Sequence, residues 1–184
     1  MKSLCGMVCA LLVPAVNCAA GVSGGTVPRL AGQHYRVLVK QIVDFRHGRR
    51  WDDRMEHFAD RHHLPTAQSV ADVAAYVAEL RSAPAPAGGN GENLAVGARS
   101  YFDKCSRCHG AAGHGDNARL IPRLAGQHYL YLVRQLYDGA EGRRPNMSRA
   151  HRRLLLSLDK ASIEGIADYL SRMVDTRDAA PLPP

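Results

Sequence analysis

The residues most able to do chemistry in this chain stand together at Cys105-Ser106-Arg107-Cys108-His109. Two thiols separated by two residues, with an imidazole directly after the second, form the C-x-x-C-H pattern. In that pattern the thiols add to the vinyl groups of a haem and the histidine coordinates its iron. The rival chemistries need partners that this sequence lacks. A redox dithiol belongs beside a βαβ pattern, which is missing. A closed zinc site needs four ligands, and no second cysteine pair or spaced histidine cluster completes one.

The start of the chain sets the compartment in which that chemistry is expected. Residues 1 to 20 hold one positive charge, Lys2, and no acid; the apolar run Leu4 to Val16 and the small residues Ala19-Ala20-Gly21 follow. This order is that of an export signal, and the run is short for a membrane span. The expectation is a bacterial periplasmic protein. It would meet a membrane only through a retained N-terminal anchor or a lipid on Cys18, and Asn17 before that cysteine suits a lipoprotein signal poorly. Cys5, Cys9 and Cys18 all fall in the signal region, so Cys105 and Cys108 are the cysteines left in the mature chain and disulfides are not its framework.

The 184 residues, 46% hydrophobic, suffice for one ordinary domain or two small ones. A formal charge of +7 can steer a protein toward an acidic protein partner, an anionic membrane or nucleic acid. Export argues against nucleic acid, as do basic residues scattered among acids without interleaved aromatics. Redox proteins, a donor and an acceptor, are the expected partners, through an acidic docking surface or within a larger enzyme complex.

An internal repeat organises the rest. Pro28-Arg29-Leu30-Ala31-Gly32-Gln33-His34-Tyr35 recurs letter for letter at Pro122 to Tyr129, and Gly48-Arg49-Arg50 recurs at Gly142-Arg143-Arg144. The chain is therefore a duplicated module. Between the copies, Ser82 to Gly91 is rich in proline, glycine and alanine and reads as a linker.

Apolar residues at helical spacing predict the elements that must position the site. One stripe is Tyr129, Leu132, Val133, Leu136 and Tyr137, matched in the first copy by Tyr35, Leu38, Val39, Ile42 and Val43. Others are Leu94, Gly97, Ala98, Tyr101 and Phe102 before the cysteines, and Ile163, Ile166, Ala167, Leu170 and Met173 after Asp159, the expected N-cap. No alternating run makes a strand, so the fold is expected to be all-α. The boundaries are a signal at 1–20, a first half at 22–82, a linker at 83–93, a haem domain at 94–175 and a tail at 176–184.

Residues 94 to 175 resemble a class I cytochrome c domain, and the duplication makes the whole chain similar to the two-domain, dihaem bacterial cytochromes c. The resemblance rests on Gly97, Tyr101, Cys105 to Gly110, Gly113-His114-Gly115-Asp116, Pro122 to Gln127, Met147 and Tyr169. It implies a cytochrome c-like helical domain around one covalent haem c. It also implies a methionine as the second axial ligand of the iron. Of Met55, Met147 and Met173, Met173 lies on an apolar stripe and reads as core, whereas Met147 follows a polar stretch broken by glycine and proline. Met147 is the expected ligand, with His114, His128, His151 or an open position as the alternatives. The resemblance further implies that Pro122 offers its carbonyl to the free ring nitrogen of His109, and that Leu124 lines the haem edge. Histidine plus thioether leaves no vacant position, so electron transfer rather than catalysis is implied.

The first copy departs from that pattern. It lacks C-x-x-C-H and the helix before it, and Asp53 stands where Met147 stands in the second copy. A degenerate, haem-less half is expected, resting on the haem domain or docking on another subunit. His57, His62 and His63 lie in a charge-dense segment that reads as a solvated helix face, with a metal or a loosely held haem as the alternative. The resulting expectation is a monohaem electron carrier or electron-transfer subunit. Its rivals are a peroxidase-like haem protein with an open iron and a docking subunit acting through the first half.

Overall fold

The computed structural model describes residues 25–81 and 88–174. The expected export signal, Cys18, the expected C-terminal tail and residues 82–87 around the linker's start lie outside the described residues.

Eight helices occur among them. The first half supplies α1 (Tyr35–Arg46), α2 (Asp53–Ala59) and α3 (Ala67–Glu79). The second supplies α4 (Leu94–Lys104), α5 (Ser106–His109), α6 (Tyr129–Ala140), α7 (Arg149–Leu156) and α8 (Lys160–Ser171). The only β pairing among the described residues is an isolated bridge between Asp116 and Ile121, so the fold is all-α as its periodicities imply. Short polar side chains set several starts by accepting orphan backbone N–H groups. Asp159 accepts from Ser162 N at α8, Asp52 from Met55 N at α2, and Thr66 forms a capping box with Ser69 at α3. The repeated octapeptide folds the same way twice: His34 precedes α1 with φ −59° and ψ 131°, and His128 precedes α6 with φ −60° and ψ 131°.

Each half has its own apolar cluster. In the first, Leu38, Ile42 and Phe45 of α1 meet Val70, Val73, Ala74 and Val77 of α3. In the second, Tyr101, Leu132, Leu155, Ile163, Ile166 and Leu170 form the core. The stripes hold at their centres and fail at their edges. Tyr35 and Phe102 are exposed, while Val37 and Phe45 take the buried positions on α1. Helix α7 is not among the expected stripes: it is short and arginine-rich, and Leu155 is its one buried residue.

In the second half, helices α4 and α8 cross at Gly97 and Gly165. A Cβ at Gly97 would collide with the Gly165 carbonyl, and one at Gly165 with the Asn93 carbonyl and the Gly97 backbone. Backbones packed this closely exclude any side chain at the crossing.

The halves join through the octapeptide itself. Gln127 accepts from Arg29 N at 2.7 Å and donates to the Arg29 carbonyl at 3.0 Å, and Gln33 accepts from Arg123 N at 2.9 Å and donates to the Arg123 carbonyl at 3.0 Å. The same pair of bonds, made twice in mirrored roles, places the first half on the second. The linker is also less free than its composition implies. Asp168 of α8 accepts from Gly89 N at 2.7 Å and from Gly91 N at 2.8 Å, pinning the described end of the segment.

Candidate haem site

Helix α4 delivers the thiols. It ends at Lys104, and Cys105 caps it by donating its N–H to the Tyr101 carbonyl. A single turn, α5, follows, in which the Cys105 carbonyl accepts from Cys108 N at 3.1 Å and His109 N at 3.0 Å. Both cysteines and the histidine therefore share one turn of backbone. Tyr101, fully buried, donates its hydroxyl to the Gly110 carbonyl at 2.5 Å and ties the turn to the core. Burial also pushes that phenol up to about 12, so it stays protonated and able to donate.

The glycine loop then folds back over the turn. Gly115 N donates to the His109 carbonyl at 2.8 Å. Gly115 has φ +69°, and a Cβ there would collide with the carbonyls of Ile121 and Pro122. Only glycine allows this approach. It brings the Pro122 carbonyl 3.1 Å from His109 Nδ1, which donates to it. Leu124, half-buried, packs on the second core and donates its N–H to the Gly113 carbonyl.

These contacts prepare the donor atoms. Burial, with the Pro122 bond opposing it, holds the His109 imidazole down to about 4, so the ring is neutral at ordinary pH. With Nδ1 engaged, the lone pair of Nε2 is left for a metal. Burial pushes the half-buried Cys105 thiol up to about 11, Cys108 is exposed, and the two are not bonded to each other. Two uncommitted thiols and a preset imidazole on one turn fit a covalently attached haem.

Met147 lies in the connection between α6 and α7, where its N–H donates to the Arg144 carbonyl at 3.0 Å. Its side chain packs, half-buried, against the second core. Gly139 of α6 makes room for it: a Cβ there would lie 2.7 Å from Met147 Sδ and 2.5 Å from Leu155 Cδ1. Met173 packs on the same core, and Met55 on that of the first half. Among the histidine alternatives, His151 of α7 faces His109 with ring centres 6.3 Å apart. His114 Nδ1 instead meets the Arg123 guanidinium at 3.0 Å, and His128 is buried at the start of α6.

The first half holds a hollow of about 270 Å³, walled by Ile42, Phe45, Met55, Phe58, Val73 and Val77 among others, with Pro122 and Leu124 at the seam. No cysteine lies in residues 25–81. Spacing alone does not reveal Gly139, Gly165 or Asn146, whose side chain donates to Asp44 of α1 at 2.9 Å; their roles arise where separate elements meet. A glycine inside an otherwise apolar helix is the one signal that could have marked the first two.

Residues 94–173 match the family described as cytochrome c. The chain is 32% identical to cytochrome c4 of Pseudomonas aeruginosa over 78% of its own length and 74% of that protein. It is 34% identical to a thiosulfate dehydrogenase electron acceptor of Stutzerimonas stutzeri over 84% of its length and 74% of that protein. Reduced recombinant cytochrome c4 from Pseudomonas stutzeri shares the fold, with a TM-score of 0.75 at 24% identity, covering 92% of this chain and 96% of the other. A thiosulfate dehydrogenase from Marichromatium purpuratum aligns with a TM-score of 0.72 at 27% identity over 97% of this chain and 44% of that one.

Proposed function

Because this chain belongs to the cytochrome c family, with the cytochromes c4 among its relatives, we propose that it is a one-electron carrier of the bacterial periplasm bearing a single haem c. Thioether bonds from Cys105 and Cys108 would hold the haem, and His109 and Met147 would ligate the iron. The group supplies a ferric/ferrous couple, and this ligation favours a raised reduction potential.

The observation that carries the reading is the hydrogen bond from His109 Nδ1 to the Pro122 carbonyl. It fixes the tautomer and the ring orientation, so the imidazole meets a metal with little rearrangement. Gly139 and the α6–α7 connection keep the Met147 sulfur against the core. A count of one haem is supported by the absence of cysteine from residues 25–81, which leaves the first half without a thiol to attach one. The leader-like start supports export. No helix among the described residues is long and apolar enough to cross a membrane.

The relatives named for accepting electrons from thiosulfate dehydrogenase suggest the type of partner: an oxidoreductase that hands over single electrons. The chain's +7 charge suits an acidic docking face on such a protein. Expression in a host with haem-attachment machinery tests the proposal. One haem per chain by pyridine haemochrome assay, with sharp reduced c-type bands, is expected. Two haems, or none, would overturn it.

A further inference from the structure

We propose that the first half carries a binding site for one divalent transition-metal ion of borderline softness, such as Zn2+, Ni2+ or Cu2+, on His57, Asp60 and His63. The site needs neither the haem nor Met147, and it lies on residues that the electron-transfer reading leaves unused.

The local fold assembles it. Helix α2 ends at Ala59, with His57 in its last turn. Asp60 then leaves the helix with φ −67° and ψ 172°, and its Oδ1 accepts the backbone N–H groups of His62 and His63, both at 2.9 Å. This tight turn swings His63 back over the helix end. Its ring comes to rest 4.4 Å from that of His57, and its Nδ1 lies 2.9 Å from Asp60 Oδ1. One ligand atom from each of the three residues lies within 4.8 Å of the other two. Phe58 packs edge-on to both imidazoles and walls one side.

The donor set selects the class of ion. Two imidazole nitrogens and one carboxylate oxygen suit borderline divalent metals. Calcium and magnesium would want oxygens throughout, and copper(I) would want sulfur. Ligand bonds of 2.0–2.2 Å in a tetrahedron place donor atoms about 3.3 Å apart. Closing from 4.8 Å takes a side-chain rotation, which exposed His57 can make without disturbing the core. Three protein ligands leave a fourth position for water, as in open zinc sites.

The geometry also revises the composition of the cluster. Sequence proximity groups His57 with His62 and His63 on a solvated face. The turn instead puts Asp60 in the group and leaves exposed His62 beside it, its ring 5.0 Å from that of His63. That substitution makes the proposal specific.

Chelator-treated holoprotein titrated with Zn2+ against a chromophoric competitor tests it. One tight equivalent is expected. His57→Gln and Asp60→Asn should each weaken that equivalent by about ten-fold or more, since each alters a ligand and loss of a ligand's hydrogen-bond partner alone already costs that much. His62→Gln and the distant His47→Gln should leave it unchanged. His57 and Asp60 lie outside the core, and an unaltered haem spectrum and melting curve establish that each variant is folded. X-ray absorption at the zinc edge should report two imidazoles. No tight equivalent in the parent, or one that depends on His62 but not on Asp60, would overturn the site.

Discussion

Asp44 of α1 accepts a 2.9 Å hydrogen bond from the side chain of Asn146, the residue directly before Met147 in the other half. The carboxylate is 4% exposed and is also paired with Lys40 and, at 3.0 Å, with Arg49. The half without thiols thus fastens the connection that carries the proposed sulfur ligand. Asp44→Ala would leave two cations without this acceptor and Asn146 with only its longer 3.4 Å bond to Gln41, at a cost of about 1–3 kcal/mol. It would also loosen the Met147 connection. The expected result is a lower unfolding midpoint in urea together with faster carbon monoxide binding to the reduced protein. Unchanged binding with lowered stability would show that the contact supports the fold without restraining Met147.

The same carboxylate sets an acid limit. Burial alone would raise its pKa, but hydrogen bonds from Lys40, Asn146 and Arg49 outweigh burial and hold it below the usual 3.8. The unfolded chain therefore takes up this proton more readily than the folded one. The stabilisation is fully present above about pH 4 and disappears as pH falls through the lower folded value. Melting temperatures of the parent and of Asp44→Asn should differ most at neutral pH and converge in acid. A gap of constant size into strong acid would remove charge as the cause.

Gln33 and Gln127 are the paired test of the seam. Each side-chain oxygen accepts two backbone N–H groups, one from the opposite arginine and one from the histidine that follows the glutamine itself, and each amide donates to the opposite arginine's carbonyl. Truncating either therefore removes the partner of three main-chain groups at the junction. A cost of about 1–3 kcal/mol is expected for Gln127→Ala, which is 7% exposed, and less for Gln33→Ala, whose surroundings admit more water. The double variant should unfold in two steps, each half with its own cluster, where the parent unfolds in one. Coincident circular dichroism and Soret transitions in the double variant would argue that other seam contacts suffice.

The features legible in the chain are those set by short-range forces. C-x-x-C-H is legible because its bonds are local: one turn of helix brings Cys105, Cys108 and His109 together whatever surrounds them. The copied octapeptide is legible as a duplication, yet nothing in its letters says that the two glutamines clasp each other's halves. That depends on where the modules settle. Asp44 and Asn146 look like ordinary surface polar residues until α1 meets the α6–α7 connection. The histidine segment fails for the opposite reason, since counting neighbours along the chain picks His62, while an Asp60-centred turn replaces it. Helix α7 is short and buries Leu155 alone, and the exposure of Tyr35 and Phe102 shows that a stripe marks a face without marking how far it is covered.

The facing rings of His109 and His151 predict how the iron would respond to loss of the sulfur. Their centres are 6.3 Å apart, a separation at which one metal ion bonded at about 2 Å to each ring can lie between them. Burial holds His151 below its usual pKa, so it is neutral and able to donate a lone pair at pH 7. In Met147→Ala, then, the vacated position should be filled by His151, keeping the iron low-spin and six-coordinate, abolishing the far-red sulfur-to-iron band and lowering the reduction potential. Adding His151→Ala should leave the position open, giving a high-spin spectrum and rapid carbon monoxide binding. If Met147→Ala is already high-spin, His151 does not reach the iron. If it keeps the sulfur band, the ligand is another methionine, and Met173, on the same core, is the residue to replace next.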